Sequence, residues 1–163
     1  MKRVLLVNWE KCIGCRTCEM ICSLLNEERS NPTEARITVI KFEEKGADFP
    51  VYCQNCEAPA CEAICPAKAI YKDDITGAVL VDIRRCIGCR MCILACPIGG
   101  LSFHPAKKVI IKCDLCKGDP ACVKYCPEGA LEVVSLDAIG VKRRRENIRK
   151  FSSYLDMMTG GKE

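Results

Sequence analysis

Cys86-Ile87-Gly88-Cys89-Arg90-Met91-Cys92-Ile93-Leu94-Ala95-Cys96-Pro97 is the stretch on which the reading of this chain turns. Three cysteines stand at every third position, a fourth follows after three more residues, and proline closes the run. A C-x2-C-x2-C row wraps a tight loop around one iron–sulfur cube and supplies three thiolates. The x3-C that follows opens a helix and points its thiolate at a neighbouring cube. Proline then ends the short helix, because it cannot donate the next backbone bond. Gly88 lets the loop visit positive φ and approach closely, so that inward amides can donate to sulfur.

The pattern occurs four times, which makes it an internal repeat. Group I is Cys12-x2-Cys15-x2-Cys18-x3-Cys22, with Ile13-Gly14 inside its first pair and no proline after Cys22. Group II is Cys53-x2-Cys56-x4-Cys61-x3-Cys65-Pro66. Group III is the stretch quoted above, Cys86, Cys89, Cys92 and Cys96. Group IV is Cys113-x2-Cys116-x5-Cys122-x3-Cys126-Pro127. The longer second gaps of groups II and IV let the loop bulge while still giving three ligands.

Sixteen cysteines in 163 residues leave two broad classes, a disulfide scaffold or a metal protein. The N-terminus, Met1 to Glu10, has an apolar run of only four residues and no small-residue cleavage site, so a secretory signal is not expected. No apolar run approaches the roughly 20 residues of a membrane span. The expected location is cytoplasmic, where dense cysteines serve as metal ligands. Structural zinc prefers CxxC pairs separated by longer linkers, and a C-x2-C-x2-C-x3-C-P row fits it poorly. The formal net charge of +4 does not point to nucleic acid. Four all-thiolate cubes at roughly −2 each would leave the loaded protein mildly acidic.

Spacing alone leaves the pairing of the groups open. Twenty residues separate Cys65 from Cys86, and Ile70-Tyr71, Asp73-Asp74 and Gly77 to Asp82 read there as strand, turn and strand. Sixteen residues separate Cys96 from Cys113, and Leu101 to Phe103 with Val109 to Ile111 form an equally good hairpin. Nested pairing (II with III, I with IV) and sequential pairing (I with II, III with IV) both remain.

The ordered set of groups, the loosened gaps in II and IV and the missing proline after Cys22 resemble the iron–sulfur subunits of the dimethyl sulfoxide reductase type. They are similar also to hydrogenase and formate dehydrogenase components. The resemblance covers roughly residues 8–134. It implies nested pairing and an α+β fold of two pseudo-symmetric bacterial two-[4Fe–4S] ferredoxin-like units. It further implies four [4Fe–4S] clusters: one on Cys12, Cys15, Cys18 and Cys126; a second on Cys22, Cys113, Cys116 and Cys122; a third on Cys53, Cys56, Cys61 and Cys96; a fourth on Cys65, Cys86, Cys89 and Cys92. The corresponding units are residues 1–30 with 105–136, and residues 50–104. A connecting insertion covers 31–49 and a C-terminal helical tail covers 137–163.

The compact chain most resembles small electron-transfer partners of tungsten aldehyde oxidoreductases. The implied function is non-catalytic electron transfer between a larger catalytic subunit, with a tungsten or molybdenum pterin cofactor, and an external carrier such as a ferredoxin or a flavin subunit. The alternatives are an iron–sulfur subunit of a formate dehydrogenase or hydrogenase complex, and a free-standing polyferredoxin.

Outside the cysteines the signals are weaker. Ser23 to Glu28 continue a helix begun near Arg16, and Ala35 to Phe42 read as a strand. The segment between groups I and II either covers a cluster, meets a partner or serves as scaffold. Ala130 to Val134 read as a closing strand. Ile148, Phe151, Leu155 and Met158 form an apolar stripe beside the basic run Lys142 to Arg145, Arg149 and Lys150, either a docking arm or a helix packed on its own domain. His104, the only histidine, is expected on a surface loop, and Trp9 is expected to pack by the first cysteine loop. No phosphate loop, paired carboxylates or nucleophile–base pair is present. With so little apolar core, cluster binding is expected to supply the folding energy.

Overall fold

The computed structural model describes residues 3–135 and Gly140; the expected helix over 137–158 lies outside the described residues. Eight strands and four α-helices are set out among the described residues. They are β1 (Arg3–Val7), α1 (Thr17–Glu27), β2 (Ile37–Phe42), β3 (Ala47–Tyr52), α2 (Ala60–Ala63), β4 (Ile70–Lys72) and β5 (Val79–Val81). Then come α3 (Met91–Ala95), β6 (Leu101–His104), β7 (Val109–Lys112), α4 (Ala121–Lys124) and β8 (Leu131–Ser135). This is a small α+β protein whose strands form four two-stranded antiparallel sheets.

Three of those sheets are local hairpins, β2–β3, β4–β5 and β6–β7. The fourth joins the chain's two ends: β1 pairs with β8, with Leu5 opposite Val133 and Val7 opposite Leu131. Val4 to Val7 form a strand that the sequence reading did not assign; four apolar residues read as a strand only once β8 is known to lie beside them. This sheet brings group I to group IV, while the cysteine loops of groups II and III flank β4–β5 between them.

Two apolar clusters form the core. One gathers Leu5, Ile37, Val39, Leu115 and Leu131 with Cys18, Cys113 and Cys122, and takes in Cys53 of group II and Ala78 of the hairpin between groups II and III. The other gathers Ile70, Val79, Leu101 and Ile110 with Cys61 and Cys92. Each fully buried aliphatic side chain contributes about 1.5–3 kcal/mol. Both clusters are small, and cysteines make up a large part of them.

The segment between groups I and II is a hairpin laid over β1 and α1. Tyr52 in β3 donates its hydroxyl proton to the Leu5 carbonyl of β1 at 2.5 Å. The buried Glu19 carboxylate of α1 accepts from the Val39 amide of β2 at 2.5 Å. Trp9 is half exposed and stacks on Phe49 of β3 at 5.4 Å, so its partner is this hairpin. Hairpin β6–β7 spans the expected division at residue 105, because the sheet register pairs His104 with Val109.

His104 departs from expectation. It is wholly buried, with its ring between Glu27 at the end of α1 and Glu34. A surface loop was expected, yet His104 is the last residue of β6.

Candidate iron–sulfur sites

The four cysteine loops share one backbone solution. The third residue of each CxxC has positive φ: Gly14 at 63°, Asn55 at 49°, Gly88 at 67° and Leu115 at 58°. Arg16 and Arg90, directly after the second cysteine of groups I and III, follow at 59° and 63°. These turns place the next cysteine at the start of a helix, α1 after group I and α3 after group III. In groups II and IV the bulged gap ends in Pro59-Ala60-Cys61 and Pro120-Ala121-Cys122, with the proline as N-cap of α2 and α4. A proline before the helix fits, because its missing N–H would have no partner there.

Each helix serves two places at once. Cys18 and Cys22 lie one turn apart on α1, and Cys61 with Cys65, Cys92 with Cys96 and Cys122 with Cys126 have the same spacing in or just past α2, α3 and α4. Residues four apart share a helix face but reach different points along it.

The consequence is four cavities of near-equal size. Cys12, Cys15, Cys18 and Cys126 line the first, with about 340 Å³ of empty space including its open mouth. Cys22, Cys113, Cys116 and Cys122 line another of about 360 Å³. Cys53, Cys56, Cys61 and Cys96 line a third of about 360 Å³. Cys65, Cys86, Cys89 and Cys92 line one of about 320 Å³. No disulfide joins any of the sixteen cysteines. Among the described residues no group of three or more His, Cys, Asp or Glu is placed to hold a single metal ion, so each set of thiols surrounds a space.

Backbone amides point at the sulfurs. Ala69 N donates to Cys65 Sγ and Ala130 N to Cys126 Sγ, each at 3.3 Å and each from the fourth residue after the cysteine. The turn that places them repeats, with Lys68 and Gly129 at positive φ. Cys22 has no proline turn behind it, and α1 runs on to Glu27. Its sulfur accepts from the Arg36 amide at 3.3 Å instead, supplied by the hairpin segment. Asn55 N donates to Cys53 Sγ at 3.4 Å and Ile110 N to Cys86 Sγ at 3.5 Å. Such donors favour the anionic sulfur.

Burial acts the other way on the bare thiols. It pushes Cys18 and Cys113 up to about 12 and Cys92 up to about 11, and it raises Cys122 strongly. Without a metal these thiols keep their protons in neutral water. Metal binding must displace them, so loading releases protons.

The hairpin segment contributes to two of the cavities. Val39 and Pro50 line the one with Cys12, and Arg36 and Ile37 line the one with Cys22. Arg36 is held there by an ion pair with Asp114 at 2.8 Å, next to Cys113. Among the described residues no helix is long and apolar enough to cross a membrane.

Residues 45–136 match the family model of the 4Fe-4S dicluster domain. The chain belongs to the 4Fe-4S dicluster family. Residues 5–23 match a second model, a 4Fe-4S binding domain. This dicluster protein is 41% identical over 135 residues to the polyferredoxin-like subunit of aliphatic sulfonate oxidoreductase from Pyrococcus furiosus, which spans 80% of this chain and 77% of that protein. It is 37% identical over 158 residues to YsaA of Escherichia coli (strain K12), named for electron transport, spanning 90% of this chain and 98% of YsaA. It is 33% identical over 153 residues to the thiosulfate reductase electron transfer subunit PhsB of Salmonella typhi, spanning 86% of this chain and 79% of PhsB. These relatives are named as electron carriers and not as catalysts.

Sequence reasoning missed Asn55, Arg36 and Lys112, which touch the cysteine loops through hydrogen bonds. The repeated Pro-Ala-Cys of groups II and IV was a legible signal for the bulged loops.

Proposed function

We propose that the chain is a non-catalytic electron-transfer subunit that takes four [4Fe–4S] clusters, one in each cavity. The observation that carries this reading is the lining of the cavities: four separate sets of four thiols, each with three from one group and one from another. The same lining supports nested ligand sets. Groups I and IV form the outer unit, in residues 1–30 and 105–136, and groups II and III the inner unit, in residues 50–104.

When bound, such clusters supply one-electron donor and acceptor sites. The protein's own share is to hold them near one another, shield them and set their charge. α1 to α4 each hold thiols of two adjacent cavities one turn apart, which keeps neighbouring centres close. The CxxC turns at Gly14, Asn55, Gly88 and Leu115 allow close approach, and amides such as those of Ala69, Ala130 and Arg36 stabilise thiolate charge.

Four sites in sequence suit a subunit that spans distance between a catalytic partner and an external carrier. The relatives named as subunits of sulfonate and thiosulfate enzymes support an oxidoreductase partner. We assign that partner to the tungsten or molybdenum pterin class, with an aldehyde oxidoreductase as first candidate. A formate dehydrogenase or hydrogenase complex is the alternative, and a free-standing polyferredoxin the next. Anaerobic purification from the native source tests the assignment. Co-elution in fixed ratio with a larger subunit that contains tungsten or molybdenum supports it. A chain that elutes alone, with full iron, identifies a free carrier.

A further inference from the structure

Lys112 is the last residue of β7 and is only 3% exposed. Its Nζ donates to Asn55 Oδ1 at 3.2 Å, to the Cys113 carbonyl at 3.1 Å and to the Val79 carbonyl. Three acceptors use three N–H donors, and only the ammonium form has three. The group is therefore a buried cation. Among the described residues no carboxylate stands in ion-pair range of it; the pairs formed by other lysines go to Glu57, Glu27 and Asp119.

A buried charge without a counter-charge is costly, and native proteins pair such groups. The oxygens around Lys112 are neutral. Its surroundings, however, are cysteine loops. Asn55, which accepts from Nζ, donates its own amide to Cys53 Sγ. Val79 lines the cavity of Cys53, Cys56, Cys61 and Cys96. On its other side Lys112 is bonded to Cys113, a lining residue of the cavity in the outer unit.

We propose that Lys112 is the counter-charge of the cluster bound by Cys53, Cys56, Cys61 and Cys96, and that it raises that cluster's reduction potential at the crossing between the two units. This rests on the four-cluster reading above. A fixed positive charge in a low-dielectric interior favours the more negative, reduced state of a nearby centre. The cluster beside Lys112 is thereby easier to reduce than it would be without that charge. Lys112 acts through charge on the centre and is a positioning residue in that sense.

The test uses the full chain, purified anaerobically as wild type, Lys112→Met, Lys112→Gln and Lys112→Arg. Iron and acid-labile sulfide are counted, and potentials are read by EPR-monitored redox titration. The expected result is full iron in all four proteins, with one cluster shifted downward by tenfold or more in its one-electron equilibrium, about 59 mV, in the Met and Gln variants. Lys112→Arg keeps the potential near wild type. Loss of about four irons from both neutral variants, with full loading of Lys112→Arg, also supports a counter-charge. Full loading with unchanged potentials in the neutral variants overturns the inference and leaves the four-cluster reading standing. Equal iron loss in all three variants, Arg included, overturns it too, because shape and not charge is then what matters. A wild type with far fewer than sixteen irons rejects the underlying reading instead.

Discussion

His104 Nε2 lies 3.2 Å from Glu27 Oε2, a contact between residues 77 apart in the chain. It fastens the end of β6 to the end of α1. Nδ1 of the same ring accepts from the Lys107 amide at 3.2 Å, which places the ring proton on Nε2 and makes the histidine the donor. Lys107 Nζ donates to the same Glu27 oxygen, and Arg29 holds the adjacent Glu34 at 2.5 Å. The one histidine of the chain is a clasp between β6 and α1.

Truncating the clasp leaves a buried carboxylate short of a donor. His104→Ala is expected to cost about 3 kcal/mol, from the lost bond and the cavity together. Thermal loss of cluster absorbance checks it, and His104→Gln, which can still donate, is expected to recover part of the loss.

The clasp also carries a pH dependence. Burial pushes the Glu27 carboxyl up, but hydrogen bonds from Lys107 and His104 outweigh it and hold the group below its ordinary value of 4.5. A lowered folded-state value means stability that is present above about 4.5 and is lost as pH falls through the lowered value. Glu27→Gln is expected to lower stability at neutral pH and to flatten the acid limb of the stability–pH curve. An unchanged acid limb in that variant contradicts the assignment.

Glycine positions rank themselves by what a Cβ would meet. At Gly88, with φ +67°, it would stand 2.3 Å from the Lys108 carbonyl oxygen, a backbone atom that cannot swing away. At Gly99, with φ +70°, it would meet nothing within 4 Å. Gly99→Ala is therefore expected to cost only the left-handed penalty of about 1–2 kcal/mol. Gly88→Ala adds a collision between the CxxC loop and the β6–β7 turn, and its iron content is expected to fall at the cavity of Cys86, Cys89 and Cys92. Equal iron in the two variants counts against the loop geometry.

The ligand sets themselves can be read by paired substitutions. Cys12→Ser and Cys126→Ser lie 114 positions apart in the sequence yet line one cavity, so they are expected to perturb the same EPR signal. Cys122→Ser and Cys126→Ser are four residues apart yet line different cavities, and are expected to perturb different signals. Different signals for Cys12→Ser and Cys126→Ser would support sequential pairing, in which Cys126 joins group III.

Much of this was legible in the cysteine spacing. Groups of four, the hairpins at Ile70 to Val81 and Leu101 to Lys112, and the helix after Cys15 all follow from local signals: periodicity, glycine, proline. What spacing could not decide was which groups meet. That depends on β1 pairing with β8, a contact of the two ends of the described chain that no local pattern encodes. The same holds for His104 and Lys112. Each looks like an ordinary polar residue at a strand end, and its burial depends on elements far away in sequence, α1 for one and the Asn55 loop for the other. Arg36 likewise has no signature, because its role is to replace an amide that the missing proline turn after Cys22 does not supply.

The most direct measurement is an iron and acid-labile sulfide count, with EPR of the reduced state, on anaerobically purified protein. About sixteen irons and sixteen sulfides per chain, with magnetically interacting S = 1/2 signals, are the predicted result. About twelve irons or fewer, or stoichiometric zinc, would contradict four cubes on sixteen cysteines.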